Sequence, residues 1–187
     1  DFNSYGIGAK LEGYKEKQYM EALLKELNDS GQEENWSGRP LRSIFFGGGT
    51  PSLFSAESIS RIIETASRVF TFAPEIETTL EVNPGTIQEE LGLEKLKAFR
   101  QAGINRISMG VQSFNFQKLK FLGRLHSSAD AKQAVTQITQ SWFENFNLDL
   151  MFCTKGESVS AWKEDLCTAI GLGSLHLSAY GLTIETG

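Results

Sequence analysis

Cysteine is scarce in this chain: its 187 residues contain only Cys153 and Cys167. Two thiols cannot complete a tetrahedral metal site. They flank a polar segment and read as two unrelated, buried or half-buried thiols rather than a disulfide. That usage suits a reducing compartment, the cytoplasm or an organellar stroma or matrix. Runs of lysine and arginine are missing too. With a net charge of −5 and a pI near 5.2, the chain has no electrostatic footprint for a phosphate backbone, so nucleic acid is excluded as a partner class. No apolar stretch approaches the ~18 residues that a membrane span needs. The opening DFNSYGIGAK has neither the basic n-region nor the apolar core of a signal peptide.

Several motifs are absent as well. No Gly-Lys-Ser/Thr follows the glycines of FFGGGTPSLF, and no G-x-G-x-x-G appears, so the common nucleotide fingerprints do not apply. No spacing suggests a Ser-His-Asp or Cys-His arrangement, and His126 and His176 read as structural or exposed. There is no low-complexity tract or short repeat. There is no initiator Met either; Asp1-Phe2-Asn3-Ser4-Tyr5 and the closing LTIETG lead us to expect a segment of a longer chain, incomplete at both ends.

What remains is ordinary globular composition, 40 % hydrophobic and 22 % charged, in a length that fits one domain. Met20, Leu23, Leu24 and Leu27 predict an amphipathic helix over about 12–28, followed by the polar loop NDSGQEENWSGRP. LRSIFF reads as a strand. Ile59, Ile62, Ile63, Ala66 and Phe70 predict a helix capped by Ser55. IETTLEV is strand-like and Asn83-Pro84-Gly85 a turn. A helix over about 88–101 stops at Gly103, then come the strand NRISMGV, a helix over 128–141, the strand FNLDLMF, a helix over 158–170 and the strand LHLSAYGL. This alternation means βαβ units and a parallel sheet, either open and doubly wound or a (β/α) barrel; periodicity does not choose.

Chemistry-bearing residues gather at one end of the predicted strands, the end where parallel α/β folds bind ligands. Gly47-Gly48-Gly49-Thr50 follow the first strand, Glu81 and Asn83 end the second, and Gln112 and Ser113 follow the third. Asp149 lies inside the fourth, and the fifth ends near Tyr180 and Thr183. The glycines make either a tight turn or a stretch of bare backbone that a ligand's amino or carboxylate group can approach closely. Glu81 points opposite to Leu80 and Val82, as a solvated strand end or an acceptor for hydroxyls or an ammonium. Gln112 and Arg124 flank a Ser-Phe-Asn turn, where a helix cap and a surface charge are the plain alternatives. Asp149 is bracketed by Leu148 and Leu150; buried unpaired it would cost several kcal/mol, so it needs a partner, a ligand or water.

GGGTPS, LEVNPGT, AGINRISMGVQSFN with LGRLHS, FNLDLM and HLSAYGLTIE, in this order, resemble the radical S-adenosylmethionine (SAM) family of oxygen-independent coproporphyrinogen III oxidases. The resemblance is closest to its haem-chaperone, HemW-type branch. It implies an α/β fold, a parallel (β/α) partial barrel over residues 1–187, with a [4Fe–4S] cluster and SAM at its mouth. It further implies that Gly48, Gly49 and Thr50 line the methionyl end of SAM and that Glu81 hydrogen-bonds it. Gln112, Arg124 and Asp149 match positions contacting SAM or a second SAM-like ligand; Thr183 falls where the family has a smaller contact residue. The implied function is haem binding and delivery to an acceptor protein. The alternatives are oxidative decarboxylation of coproporphyrinogen and a truncated, inactive product.

Two departures accompany the resemblance. In HemW-type proteins the third cysteine of the cluster motif C-x-x-x-C-x-x-C directly precedes D-F-N-S-Y/H, the stretch with which this chain begins. Neither Cys153 nor Cys167 has that spacing, so this chain by itself should carry no cluster and no activity. After the fourth strand the family continues D-L-M-x-G-L-P-G-Q-T, whereas this chain reads DLMFCTKGESV.

Overall fold

The computed structural model describes residues 13–33, 36, 38–87 and 89–183. Five strands alternate with helices: α1 (Gly13–Ser30), β1 (Leu41–Phe46), α2 (Ala56–Val69), β2 (Phe72–Val82), α3 (Glu89–Gln101), β3 (Arg106–Gln112), α4 (Phe116–Phe121), α5 (Ser128–Gln140), β4 (Phe146–Phe152), α6 (Val159–Gly171) and β5 (His176–Gly181). All neighbouring strands pair in parallel, and their spatial order is their chain order, β1-β2-β3-β4-β5. A doubly wound sheet would reverse direction at a switch point. Adding one strand at a time on the same side is how a barrel grows, and the sheet curls into a half-barrel. No helix among the described residues is long and apolar enough to cross a membrane.

Strand alternation divides the sheet into two unlike faces. Leu80 and Val82, Ile107, Met109 and Val111, and Phe146, Leu148 and Leu150 turn outward and are buried under the helices. There they meet Ile59 of α2, Leu96 and Phe99 of α3, and Ala131, Ala134 and Ile138 of α5. Truncating a residue such as Phe99, fully buried, would cost about 3–5 kcal/mol. The alternate residues, Thr79 and Glu81, Arg106 and Ser108, Asn147 and Asp149, and His176 and Ser178, form the polar inner face. Register brings Glu81 beside Ser108, Gly110 beside Asp149, and Asp149 beside Ser178.

Local signals start and stop the helices. Ser55 caps α2 by accepting from the Ser58 amide, and Ser55 itself donates to Glu16 of α1 from both its amide, at 2.9 Å, and its hydroxyl, at 2.7 Å. Ser127 and Asp130 form a capping box on α5, and Ser158 caps α6. Gly103, at φ 107°, turns the chain from α3 into β3.

The two thiols correct one expectation. Cys153 and Cys167 are free, but both are exposed rather than buried. Cys153, the residue after β4, has φ 61°, a left-handed conformation at the position where the family pattern has glycine.

Candidate functional site

The glycine turn leaves β1 with its backbone bare for two separate reasons. A side chain at Gly47 would run into the Phe45 ring, within 2.6 Å of an added Cβ, and would lie 3.1 Å from Glu81 Oε1. Gly48 and Gly49 have φ of 77° and 53° and open space where a Cβ would stand. The Gly48 amide donates to Glu81 Oε2 at 3.1 Å, which joins the ends of β1 and β2. Thr50, half-buried, opens a 3-10 turn over Pro51–Leu53, where its side chain makes no capping hydrogen bond. Ser52 in that turn shares a 2.9 Å hydrogen bond with Thr86, in the 3-10 turn Pro84–Thr86 that follows Asn83. Two loops above the sheet are thereby tied together.

Asp149 sits deeper, within a net of neutral donors. Asn147 Nδ2 donates to Asp149 Oδ1 at 2.6 Å, and the Ser108 hydroxyl donates to Oδ2 at 3.2 Å. Asn147 also donates to Ser108 Oγ at 3.0 Å and accepts from the Ser178 hydroxyl at 3.2 Å. Burial pushes the Asp149 carboxyl above its ordinary pKa; the Asn147 amide, the Ser178 and Ser108 hydroxyls and the charge of Arg106 pull it back only in part. Glu81 is also raised by burial, against the Gly48 hydrogen bond, and the Asp149 charge raises it further. Neither carboxylate belongs to an ion pair among the described residues. Arg106 is itself engaged by Glu77 at 3.8 Å and by His176 Nδ1 at 3.1 Å.

Gln112 neither caps a helix nor stands free. It ends β3 at φ 68°, beside a register shift between Gly110 and Gln112. Gly110 makes room for it: an added Cβ there would lie 3.0 Å from Gln112 Nε2 and 3.1 Å from Asn83 Oδ1. Arg124 is exposed after Gly123, at φ 65°, and its amide donates to Leu119 O at 2.9 Å. His126, half-buried, reaches Val111 O with Nε2 at 2.9 Å, and since a carbonyl only accepts, that nitrogen carries a proton. Burial holds the His126 pKa below its ordinary value despite that hydrogen bond, and Arg124 lowers it further. His176 is exposed. Thr183 is exposed past the end of β5, with no hydrogen bond among the described residues; the structure does not join it to the other candidates.

Thus Gly48 and Glu81 are in direct contact, Asp149 acts on Glu81 through space, and Gln112 lies against Gly110, which pairs with Asp149. The reading of the sequence missed Ser108, Asn147 and Ser178, although each lies on the same alternating face as Asp149. It also missed a buried charge cluster of Lys118, Glu157 and Asp165 beneath the β3–α4 loop. Asp165 falls among Trp162, Leu166, Ala169 and Leu172 in the apolar stripe of α6, and that misplaced charge was its signal.

Over residues 12–166 the chain matches the radical SAM superfamily. The chain belongs to this superfamily. It is 44 % identical over 187 residues to the heme chaperone HemW of Haemophilus influenzae, covering 99 % of this chain and 47 % of the relative. It is 40 % identical over 147 residues to the mitochondrial radical S-adenosyl methionine domain-containing protein 1 of Danio rerio, covering 79 % of this chain and 32 % of that protein. Among solved structures, coproporphyrinogen III oxidase (HemN) from Escherichia coli, a radical SAM enzyme, superposes with a TM-score of 0.76 at 26 % identity, over 92 % of this chain and 38 % of that one. The chain therefore spans about half the length of the HemW relatives.

Superfamily membership implies SAM and a [4Fe–4S] cluster. The inner face fits the first, since unpaired, half-buried carboxylates and open backbone suit a cationic amino-acid ligand. It does not fit the second. Among the described residues no group of three or more His, Cys, Asp or Glu side chains could hold a metal ion, and both thiols stand free.

Proposed function

We propose that this chain is the SAM-binding core of a longer haem-handling protein of the HemW type, which binds haem and delivers it to an acceptor protein in a reducing compartment such as the cytoplasm. The observation that carries the SAM reading is the pair Glu81 and Asp149: two carboxylates on the inner face, Glu81 at the end of β2 and Asp149 inside β4, raised by burial and in no ion pair among the described residues, beside the bare Gly48–Gly49 backbone. A group with an ammonium and a sulfonium supplies the missing positive charge, and its carboxylate can take backbone amides of the glycine turn. SAM, when bound, supplies the sulfonium centre on which the superfamily's chemistry depends. This chain's residues bind and orient it: Gly48, Gly49 and Thr50 at the methionyl end, Glu81 as acceptor, Asp149 as counter-charge, and Gln112 and Arg124 at the rim. Thr183 would join them only at the margin.

Haem delivery is supported by the HemW relatives, 44 % and 38 % identical over nearly the whole chain. In the full-length protein SAM should bind with 1:1 calorimetry, and Glu81→Gln should weaken it about tenfold, the loss of one charge-assisted contact. The same protein should hold haem and pass it to an apo-acceptor without turnover. Loss of carbon dioxide from coproporphyrinogen under anaerobic, reducing conditions would instead favour the oxidase reading, which the likeness to HemN supports. Absence of both haem transfer and decarboxylation would leave the inactive truncated product.

A further inference from the structure

Gln112 is held in a conformation that its own chemistry does not favour. The Ser113 amide donates back to Val111 O at 2.9 Å across Gln112 at φ 68°, closing a three-residue γ-turn of the rare, strained, positive-φ kind. Such strain persists only where the surroundings over-determine it. Here they do so from two sides. Val111 O takes a second hydrogen bond, from His126 Nε2 at 2.9 Å. Past the turn, Asp165 of α6 reaches across and accepts from the Ser113 hydroxyl at 2.6 Å and from the Phe114 amide at 2.8 Å.

Asp165 is 3 % exposed, so its charge must be compensated. Lys118 of α4 compensates it at 3.0 Å, and the same ammonium binds Glu157, whose other oxygen takes the Thr154 amide at 3.2 Å. Replacing a buried ion cluster by well-packed apolar residues is often neutral or stabilising, so stability alone is a poor reason for this one. Its bonds point instead to the residues immediately after Gln112.

We propose that Asp165 is a positioning residue: by clamping Ser113 and Phe114 it holds the γ-turn that sets the Gln112 carboxamide against Gly110 at the mouth of the half-barrel. This rests on the reading of Gln112 as a SAM contact. Asp165 touches no ligand; it acts through Gln112.

A double-mutant cycle on SAM affinity in the full-length protein tests this. Asp165→Asn keeps the shape and an acceptor, so it is preferred to Asp165→Ala, which strands Lys118 with one partner and is liable to misfold. Asp165→Asn and Gln112→Ala are each expected to weaken SAM about tenfold. The double variant should be no weaker than Gln112→Ala alone, because no carboxamide is left to position. Multiplication of the two losses, to about a hundredfold, would overturn the positioning role while leaving Gln112 a SAM contact. Full affinity in Gln112→Ala would remove Gln112 from the site, and the positioning role with it. Full affinity in Asp165→Asn beside a weakened Gln112→Ala would overturn the positioning role alone.

Discussion

Two aspartates of this chain sit among apolar neighbours in the sequence, Asp149 between Leu148 and Leu150 and Asp165 in the apolar stripe of α6, and the structure treats them differently. Asp165 is buried on the outer side of the sheet, where Lys118 meets it at 3.0 Å and the Ser113 hydroxyl and Phe114 amide complete its shell. Asp149 lies on the inner side, where Asn147 and Ser108 donate to it but no cation among the described residues pairs with it, and its pKa rises. A charge with a built-in counter-ion belongs to the scaffold. A charge left with neutral donors alone is open to a ligand of opposite sign. The difference follows from placement: the outer face is sealed by helices, while the inner face of a half-barrel is open.

The largest effect should come from breaking the sealed side. Lys118→Met would leave Asp165 and Glu157 buried without a counter-charge and should cost about 3–5 kcal/mol of unfolding free energy in urea. A cost near zero would remove the distinction between the two aspartates. Next in size is the backbone of the inner site. Gly48→Ala forces a Cβ onto φ 77° and should cost about 1–2 kcal/mol, although nothing lies within 4 Å to clash with it. A neutral result would mean that the turn relaxes away from the left-handed region.

The smallest effect has the opposite sign. The folded-state pKa values of Asp149 and Glu81 lie above their ordinary ones, so the folded state takes up these protons first as pH falls. Their contribution to stability is fully present below the ordinary carboxylate pKa and is lost as pH rises through the raised values. At neutral pH the charged forms are therefore a burden. Asp149→Asn should raise the Tm at pH 7 by a degree or so, with the gain shrinking as the buffer is taken down through the acid range. The same substitution at a ligand-free, well-paired carboxylate such as Asp165 should lower the Tm at pH 7.

Much of this was legible in the sequence, because it rested on local periods. FNLDLMF became β4 residue for residue, and the alternation that placed Glu81 opposite Leu80 and Val82 held. What was not legible depended on distant partners. Half-barrel and open sheet share the same alternation and differ only in strand order. β2 begins at Phe72 rather than Ile76, running through Pro74, because the pairing slips between Leu41 and Ser43 and the proline sits where no regular ladder bond is needed. α4 is too short to show a period, and its Lys118 is drawn inward by carboxylates from elsewhere in the chain. The positive φ of Gln112 has no sequence signature at all, since the clamp comes from α6 and from His126.

The most direct test is the carboxyl titration of Asp149 itself, followed by carbon-13 NMR in the full-length protein with and without SAM. The account predicts a pKa above the ordinary aspartate value in the free protein, and a fall when SAM brings its positive charge to the inner face. An Asp149 that titrates at or below the ordinary value when free, or one that SAM leaves unmoved, would contradict the claim that this carboxylate stands ready for a cationic ligand.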